Sequence, residues 1–180
     1  MREYKILFTG TMGAGKTTAI AAVSEVPPVR TDVANTDTSV AKATTTVGLD
    51  FGVMTLDSGD RLRLFGTPGQ ARFDFLWGIL AQNALGIVVL VDNSRPTPLE
   101  DLQAYIDGFE GQLRTLPCVI GVGRLPSHPS PGIDDYATWL GARGFALPVP
   151  EVDVRERGDV LLLLDTLLAQ VEADMVGTDD

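Results

Sequence analysis

Eight consecutive residues near the amino terminus have the types and the spacing that suit phosphate binding. Residues 10–17 read Gly-Thr-Met-Gly-Ala-Gly-Lys-Thr, which fits the pattern G-x-x-x-x-G-K-[ST]. In this pattern the glycines allow successive backbone N–H groups to turn toward the α- and β-phosphates of a nucleotide. Lys16 then reaches the β- and γ-phosphates, and the hydroxyl of Thr17 ligates Mg²⁺. The predicted nucleotide-binding residues of this segment are Gly10, Thr11, Met12, Gly13, Ala14, Gly15, Lys16, Thr17 and Thr18.

A phosphate-binding loop needs a strand before it and a helix after it, and the sequence predicts both. Residues 4–9 (Tyr-Lys-Ile-Leu-Phe-Thr) are mostly aromatic and β-branched, which favours a strand. Residues 18–23 (Thr-Ala-Ile-Ala-Ala-Val) are rich in alanine, which favours a helix whose N-terminus faces the anion. The alternative is that residues 10–17 form a glycine-rich turn that matches the pattern by chance. The predicted strand before them and the predicted helix after them argue against this alternative.

Strand and helix patterns alternate along the rest of the chain. Further strands are predicted at 47–56, 61–65, 85–91, 118–122 and 145–154, and helices at 72–83, 99–113, 134–142 and 158–171. Residues 29–46 are polar without periodicity, which predicts a long functional loop. We therefore expect an α/β fold with a mostly parallel six-stranded sheet, one antiparallel edge strand and helices on both faces. The expected organisation is a single domain over residues 1–174 and a short acidic tail over 175–180.

Composition limits the classes of function. The net charge of −10 over 180 residues, with no basic stripe, argues against a nucleic-acid partner. Cys118 is the only cysteine, which excludes an internal disulfide and fits a reducing compartment. No signal peptide, lipidation motif or run of about 18 apolar residues is found, so we expect a cytoplasmic protein without a membrane anchor.

Two later segments resemble parts of a known family. Residues 62–73 (Leu-Arg-Leu-Phe-Gly-Thr-Pro-Gly-Gln-Ala-Arg-Phe) and 44–51 (Thr-Thr-Thr-Val-Gly-Leu-Asp-Phe) resemble switch II and switch I of Ras-like small GTPases. The sequence of residues 64–70 is similar to that found in a bacterial branch of this family, which is grouped with the signal-recognition-particle receptor β subunit and the gliding-motility GTPase. The resemblance covers about residues 4–170.

The resemblance implies a P-loop fold and a molecular switch that binds GTP or GDP with Mg²⁺ and hydrolyses GTP. By its placement, Thr46 would close over Mg²⁺ and the γ-phosphate, so Thr17 and Thr46 are the expected metal ligands. Gly69 would offer a backbone N–H to the γ-phosphate, and Gln70 would position the attacking water. The expected catalytic residues are Gln70, Lys16 and Arg72. Arg72 either lends positive charge in the transition state or is a solvated helix residue.

Two departures from the family pattern concern the phosphate side. Gly66 stands where the family has an Asp that holds Mg²⁺ through water, and Asp50, Asp57 or Asp92 could substitute for it. Asp92 is equally well explained as a capping or turn residue. Met12 crowds the space near the γ-phosphate, which predicts slow hydrolysis.

A third departure concerns the base. The family motif Asn-Lys-x-Asp is replaced by Gly123, Arg124, Leu125 and Pro126, which retain a cation but offer no side-chain acceptor for guanine. Arg124 can take the Lys position, with its aliphatic stem along the base. Asp134 or Asp135 could supply the acceptor, or the base is held loosely, or the preference is not guanine. Asp153 falls near the last base-contacting loop, and its alternative is an ion pair with Arg155.

The resemblance also implies a protein partner, a regulator or effector such as one of the roadblock type, which would contact residues 29–46 and 66–80. Phe73, Phe75, Leu76, Trp77, Ile79 and Leu80 form an unusually apolar stretch in the second of these segments. Two alternatives to a slow GTPase stay open. One is a pseudo-GTPase binding module with little turnover, and the other is a P-loop protein that prefers ATP.

Overall fold

The computed structural model describes residues 1–27, 29–34, 46–69 and 71–177, and this part of the chain forms one sheet with helices on both faces. The strands are β1 (Glu3–Gly10), β2 (Val29–Ala34), β3 (Thr46–Thr55), β4 (Arg61–Gly66), β5 (Ala84–Asp92) and β6 (Cys118–Gly123). The helices are α1 (Lys16–Val23), α2 (Trp77–Leu80), α3 (Pro98–Gly108), α4 (Glu110–Leu113), α5 (Ile133–Gly141) and α6 (Arg157–Gly177), with a 3₁₀ segment (Ala71–Leu76) before α2. The sheet order is β2-β3-β4-β1-β5-β6.

The predicted α/β class and the mostly parallel sheet are confirmed, but the sheet has two antiparallel strands at one side instead of the single one predicted. Strands β4, β1, β5 and β6 run parallel, and β3 runs antiparallel to β4. β3 is not at the edge, because β2 pairs with its free side, also antiparallel. β2 lies in the segment predicted as a loop.

The prediction of a last strand over residues 145–154 is also wrong. Five of the six predicted strands form, and β2 is the sixth strand of the observed sheet. The segment runs beside β6 and accepts hydrogen bonds at Pro148 and Pro150, yet it makes a single bridge, between Val122 and Glu151. Proline has no N–H to donate, so alternate prolines prevent a continuous ladder.

Side chains that alternate along β1 enter two apolar layers. Ile6 and Phe8 pack with α1 and α6 on one face, and Leu7 packs with α3 and α5 on the other. Because helices cover both faces of the sheet, polar side chains can reach a ligand only at the ends of the strands. The carboxyl ends of β1, β4, β5 and β6 meet at one edge of the sheet, where ligands bind in open α/β folds.

Helix α6 continues beyond residue 174, the expected end of the domain, to Gly177. Among the described helices, none is long and apolar enough to cross a membrane.

Candidate nucleotide site

The loop between β1 and α1 has backbone angles that require glycine. Gly10, Gly13 and Gly15 have φ values of 146°, 84° and 100°, a region that L-residues rarely adopt. A Cβ at Gly10 would lie 2.3 Å from the carbonyl oxygen of Leu90, and one at Gly15 would lie 2.6 Å from Cγ2 of Val154. Gly10 and Gly15 are therefore needed both for conformation and for space, and Gly13, whose side-chain position is open, is needed for conformation alone. Such a backbone suits a cradle of N–H groups.

Lys16 points back over this loop. Its side chain is 8% exposed, and its Nζ donates to the carbonyl oxygens of Gly10 at 2.6 Å and Thr11 at 2.9 Å. Burial lowers the pKa of Lys16 to about 8, while the carboxylate of Asp50 acts in the opposite direction. The arrangement holds an ammonium group at the mouth of the loop, where it can meet a phosphate.

Thr17, the first predicted metal ligand, is paired with a carboxylate. Its Oγ1 donates to Oδ2 of Asp50 at 2.5 Å. Asp50 lies on β3, directly opposite Gly66 of β4. Asp57 lies in the turn after β3, at the other end of β4 from Gly66, and is exposed.

Asp92 has both of its carboxylate oxygens engaged. Oδ1 accepts from the backbone N–H of Ser94 at 2.9 Å and from its hydroxyl at 2.6 Å, and Oδ2 accepts from Nη1 of Arg124. Burial by itself raises the pKa of Asp92, but these hydrogen bonds and the guanidinium charge bring it below its usual value. This geometry favours the turn interpretation of Asp92 over a metal role.

A cavity of about 980 Å³ extends from the phosphate loop toward the ends of β5 and β6. Its wall includes Gly123, Arg124 and Pro126, the region where the resemblance places the base. Asp134 and Asp135 are not in this wall, and Asp135 instead accepts the N–H of Gly132 at 2.7 Å at the start of α5.

Asp153 lines the same cavity but is bound to its neighbour. Its carboxylate accepts from Nε of Arg155 at 2.9 Å and from Nη2 at 2.8 Å. These hydrogen bonds, together with one from the backbone of Arg155, lower the pKa of Asp153 to about 2. The structure thus contains the ion pair between Asp153 and Arg155 that was the alternative to a base contact. The pair lies at the wall of the cavity.

The segment after β4 lies against the phosphate loop. Thr67 is 3% exposed, and its N–H donates to the carbonyl oxygen of Phe8 at 2.8 Å while its hydroxyl pairs with that of Thr9 at 2.8 Å. A Cβ on Gly69 would lie 2.7 Å from the backbone nitrogen of Met12 and 2.8 Å from Nζ of Lys16. Residue 69 can therefore be only glycine if this close approach is kept.

Other predicted site residues fall at the limits of the described chain. Gln70 lies outside the described residues, as do residues 35–45 of the predicted first switch. Thr46 begins β3 and Arg72 lies in the 3₁₀ segment, and only their backbone positions are described. Their predicted roles stay predictions. Met12, within the phosphate loop, is 61% exposed.

The sequence left three candidates to replace the family's Asp at position 66, namely Asp50, Asp57 and Asp92. Of these three, Asp50 is the residue that is hydrogen-bonded to Thr17. The hairpin sequence already indicated that Asp50 lies opposite position 66. A turn over residues 57–60 sets a register in which Asp50 faces Gly66. The buried hydroxyl pair of Thr9 and Thr67 was not predicted, because neither residue belongs to a motif.

Known proteins are similar to this chain at low identity. A family model described as "Conserved hypothetical ATP binding protein" matches residues 31–119, which begin after the phosphate loop. The Ras-related protein Rab-8A of Gallus gallus is 28% identical over 110 residues, which cover 59% of this chain and 48% of Rab-8A. The Ras-related protein RabC of Dictyostelium discoideum is 22% identical over 181 residues, which cover 96% of this chain and 85% of RabC.

The matched part of this chain thus spans about half the length of Rab-8A and most of RabC. These matches support a relationship to Ras-like P-loop proteins. The bacterial branch that residues 64–70 resemble is not shown by them. The sheet order and the glycine-rich loop after β1 agree with a P-loop protein that binds a nucleotide.

Proposed function

We propose that this protein is a guanine-nucleotide-dependent switch. It binds GTP or GDP with Mg²⁺ at residues 10–17, hydrolyses GTP slowly, and contacts a protein partner in a way that depends on the nucleotide. The observation that carries the proposal is the approach of Gly69 to Met12 and Lys16, because it joins the phosphate loop to a segment that can respond to a γ-phosphate. The Ras-related names of the two relatives support it.

The residues at the loop fit a magnesium ion. The hydroxyl of Thr17 and a carboxylate oxygen lie 2.5 Å apart, and hard oxygen ligands are those that Mg²⁺ prefers. Bound there with a nucleotide, Mg²⁺ would neutralise charge on the phosphate oxygens. Thr17 would hold the ion from α1, and Thr46 would do so from the start of β3.

The remaining roles belong to the chain itself. Lys16 exchanges its two carbonyl partners for phosphate oxygens, and Gly69 donates its N–H to the γ-phosphate. Gln70 orients the attacking water, and Arg72 supplies positive charge near the transferred group. Met12 stands beside this space and is expected to keep turnover slow.

The proposed partner surface adjoins the segment that carries Gly69. Phe75 is 50% exposed and Ile79 is 58% exposed, whereas Trp77 is buried and stacks on Tyr105 and Phe109 with ring centroids 4.6 and 5.2 Å away. Trp77 is thus part of the core rather than of a binding surface. We propose that residues 66–80 and 29–46 contact a protein regulator or effector of the roadblock type.

A second function is favoured by one comparison and by one feature of the base side of the cavity. The matching family is described as ATP-binding, and Gly123 and Pro126 place no side-chain acceptor in the cavity. An adenine-binding P-loop protein, or a module that holds nucleotide with little turnover, would use the same phosphate loop.

Titration of nucleotide-stripped protein with fluorescent GDP and with fluorescent ADP, in Mg²⁺, separates these functions. We expect GDP to bind at least about tenfold more tightly, a difference of about 1.4 kcal/mol. The variant Lys16→Ala serves as the control for binding at the phosphate loop and should lose most of the affinity for both. Equal affinities, or a preference for ADP, would overturn the guanine assignment.

A single-turnover measurement of phosphate release from bound GTP then tests hydrolysis. We expect release that is slow and that depends on Gln70. GTP that stays intact on the wild-type protein would assign the pseudo-GTPase function instead.

A further inference from the structure

The extended segment before α6 carries a carboxylate to the part of the cavity wall that joins the base side to the phosphate loop. The N–H of Val152 donates to the carbonyl oxygen of Val122 at 3.0 Å, which fixes the segment beside β6. Two residues later, Cγ2 of Val154 lies 2.6 Å from the position that a Cβ on Gly15 would take. Asp153 lies between these two contacts and lines the cavity.

The backbone of Asp153 is fixed, while its carboxylate stays accessible. Its N–H donates to Oδ2 of Asp159, near the start of α6, at 2.8 Å. The side chain of Asp153 is 37% exposed. A carboxylate on an anchored backbone, with an open face, can accept hydrogen bonds from a ligand in the cavity.

Arg155 presents two neighbouring donors to this carboxylate. Its Nε donates to Oδ1 of Asp153 at 2.9 Å and its Nη2 donates to Oδ2 at 2.8 Å, which makes a bidentate fork. Guanine carries a similar pair of donors on one edge of a planar ring, the N1–H and the 2-amino group. Adenine has one donor and one acceptor on its corresponding edge, so it cannot satisfy both carboxylate oxygens. The guanidinium of Arg155 therefore occupies Asp153 in the way that guanine could.

The side chain of Arg155 can be exchanged for a ligand at little cost. It is 79% exposed, and exposed ion pairs contribute weakly to stability. The backbone N–H of Arg155 also donates to Oδ1 of Asp153, at 3.0 Å, and this bond does not depend on the guanidinium. Because each carboxylate oxygen can accept more than one hydrogen bond, Asp153 can keep its orientation and still accept two donors from a base.

The other acidic residues of the cavity wall are less suited to this role. Asp92 is 7% exposed and has both oxygens occupied, and Asp50 is bound at the phosphate loop. Asp159 holds the backbone of Asp153. Glu151 also lines the cavity, but it lies two residues further from the phosphate loop along the segment.

We propose that Asp153 is the residue that selects guanine in this chain, and that the guanidinium of Arg155 is an internal substitute for the base, which guanine displaces. Asp153 then accepts the N1–H and the 2-amino group, and it supplies the acceptor that Gly123 and Pro126 lack. The inference rests on the proposed binding of a guanine nucleotide at residues 10–17 and names the residue that distinguishes the base.

Dissociation constants for GDP, inosine diphosphate, xanthosine diphosphate and ADP, measured by calorimetry in Mg²⁺, test this role without any measurement of turnover. We expect the wild type to bind GDP more tightly than inosine diphosphate, which lacks the 2-amino donor, and more tightly than ADP. Asp153→Asn should weaken GDP binding by about tenfold or more, the usual effect of losing a bidentate base contact, and leave ADP binding little changed. It should also bind xanthosine diphosphate more tightly than the wild type does, because an amide can donate to the 2-oxo group.

Arg155→Ala separates base selection from a structural role of the ion pair. Without the competing guanidinium, GDP should bind more tightly, by up to about fivefold, the strength of an exposed ion pair. An ion pair that only shapes the wall would instead make both variants bind GDP more weakly. Glu151→Gln is the matched control, because it removes another acidic side chain from the same wall, and it should keep the wild-type preference.

The outcomes separate this inference from the proposed function. A wild-type preference for GDP in Asp153→Asn, or a loss of that preference in Glu151→Gln, would overturn the role of Asp153 and leave the guanine-nucleotide switch standing. Weaker GDP binding in Arg155→Ala would overturn the displacement of Arg155 by the base. A wild-type protein that binds ADP as tightly as GDP would overturn the guanine assignment and this inference with it.

Discussion

At the scale of single residues, the site depends on contacts between the phosphate loop and strands that are distant in sequence. Lys16 is held by the carbonyl groups of its own loop, but Thr17 is bound to Asp50 and Gly69 touches Met12. Both of the latter contacts join α1 or the loop to the β3–β4 region. A change in either strand is therefore expected to alter nucleotide binding as directly as a change in the loop.

The position of Gly69 leads to a prediction for Gly69→Ala. The added methyl group would meet the Met12 nitrogen and the Lys16 ammonium, so the segment must move away from the loop. A GTP analogue should then lose one hydrogen bond to a charged group, a cost of about 1.5–3 kcal/mol, while GDP loses nothing comparable. Parallel titrations with the two nucleotides measure this difference.

Gly78→Ala is a matched control, because a methyl group on Gly78 meets only Nε2 of Gln112, at 3.9 Å. Alanine also favours the helical conformation of α2. An equal loss of GDP and of the GTP analogue in Gly69→Ala would contradict a contact that is specific for the triphosphate.

At the scale of elements, most strands and helices could be predicted because their apolar runs are continuous and local. The glycine loop could also be predicted, because its spacing alone defines it. β2 was missed because it belongs to a stretch of sequence, residues 29–46, that is polar and without periodicity, and its strand form comes from pairing with β3. The hairpin turn carried a signal that Asp50 faces Gly66, but the contact of Asp50 with Thr17 could not be assigned, because it depends on how α1 packs against β3.

Helix α6 supports the sheet face behind the phosphate loop, which leads to a prediction on stability. Leu164 is fully buried with Phe8 and Ile20, and Leu162 on the same helix is 56% exposed. Leu164→Ala should lower the free energy of unfolding by about 2–5 kcal/mol through the cavity it leaves. Leu162→Ala should change it by no more than about 0.5 kcal/mol.

Urea unfolding followed by circular dichroism compares the two variants on one helix. Similar midpoints for both would contradict the packing of α6 against β1 and α1.

At the scale of the whole molecule, the fold brings phosphate chemistry and a response segment to one edge of the sheet. The ends of β1 and β4 adjoin, so the loop after β1 and the segment after β4 meet without a long connection. The base side is built differently, since Arg124 and Asp153 are engaged in ion pairs with Asp92 and Arg155. A ligand that enters the cavity must either leave these pairs intact or exchange them.

The central claim is that the state of the bound nucleotide changes the segment after β4. Amide hydrogen exchange of residues 66–80, compared between the protein with Mg²⁺ and GDP and the protein with Mg²⁺ and a non-hydrolysable GTP analogue, tests it most directly. We predict greater protection with the triphosphate, because Gly69 gains a γ-phosphate partner, and no such difference in α6. Equal protection of residues 66–80 in two fully occupied complexes would contradict the switch.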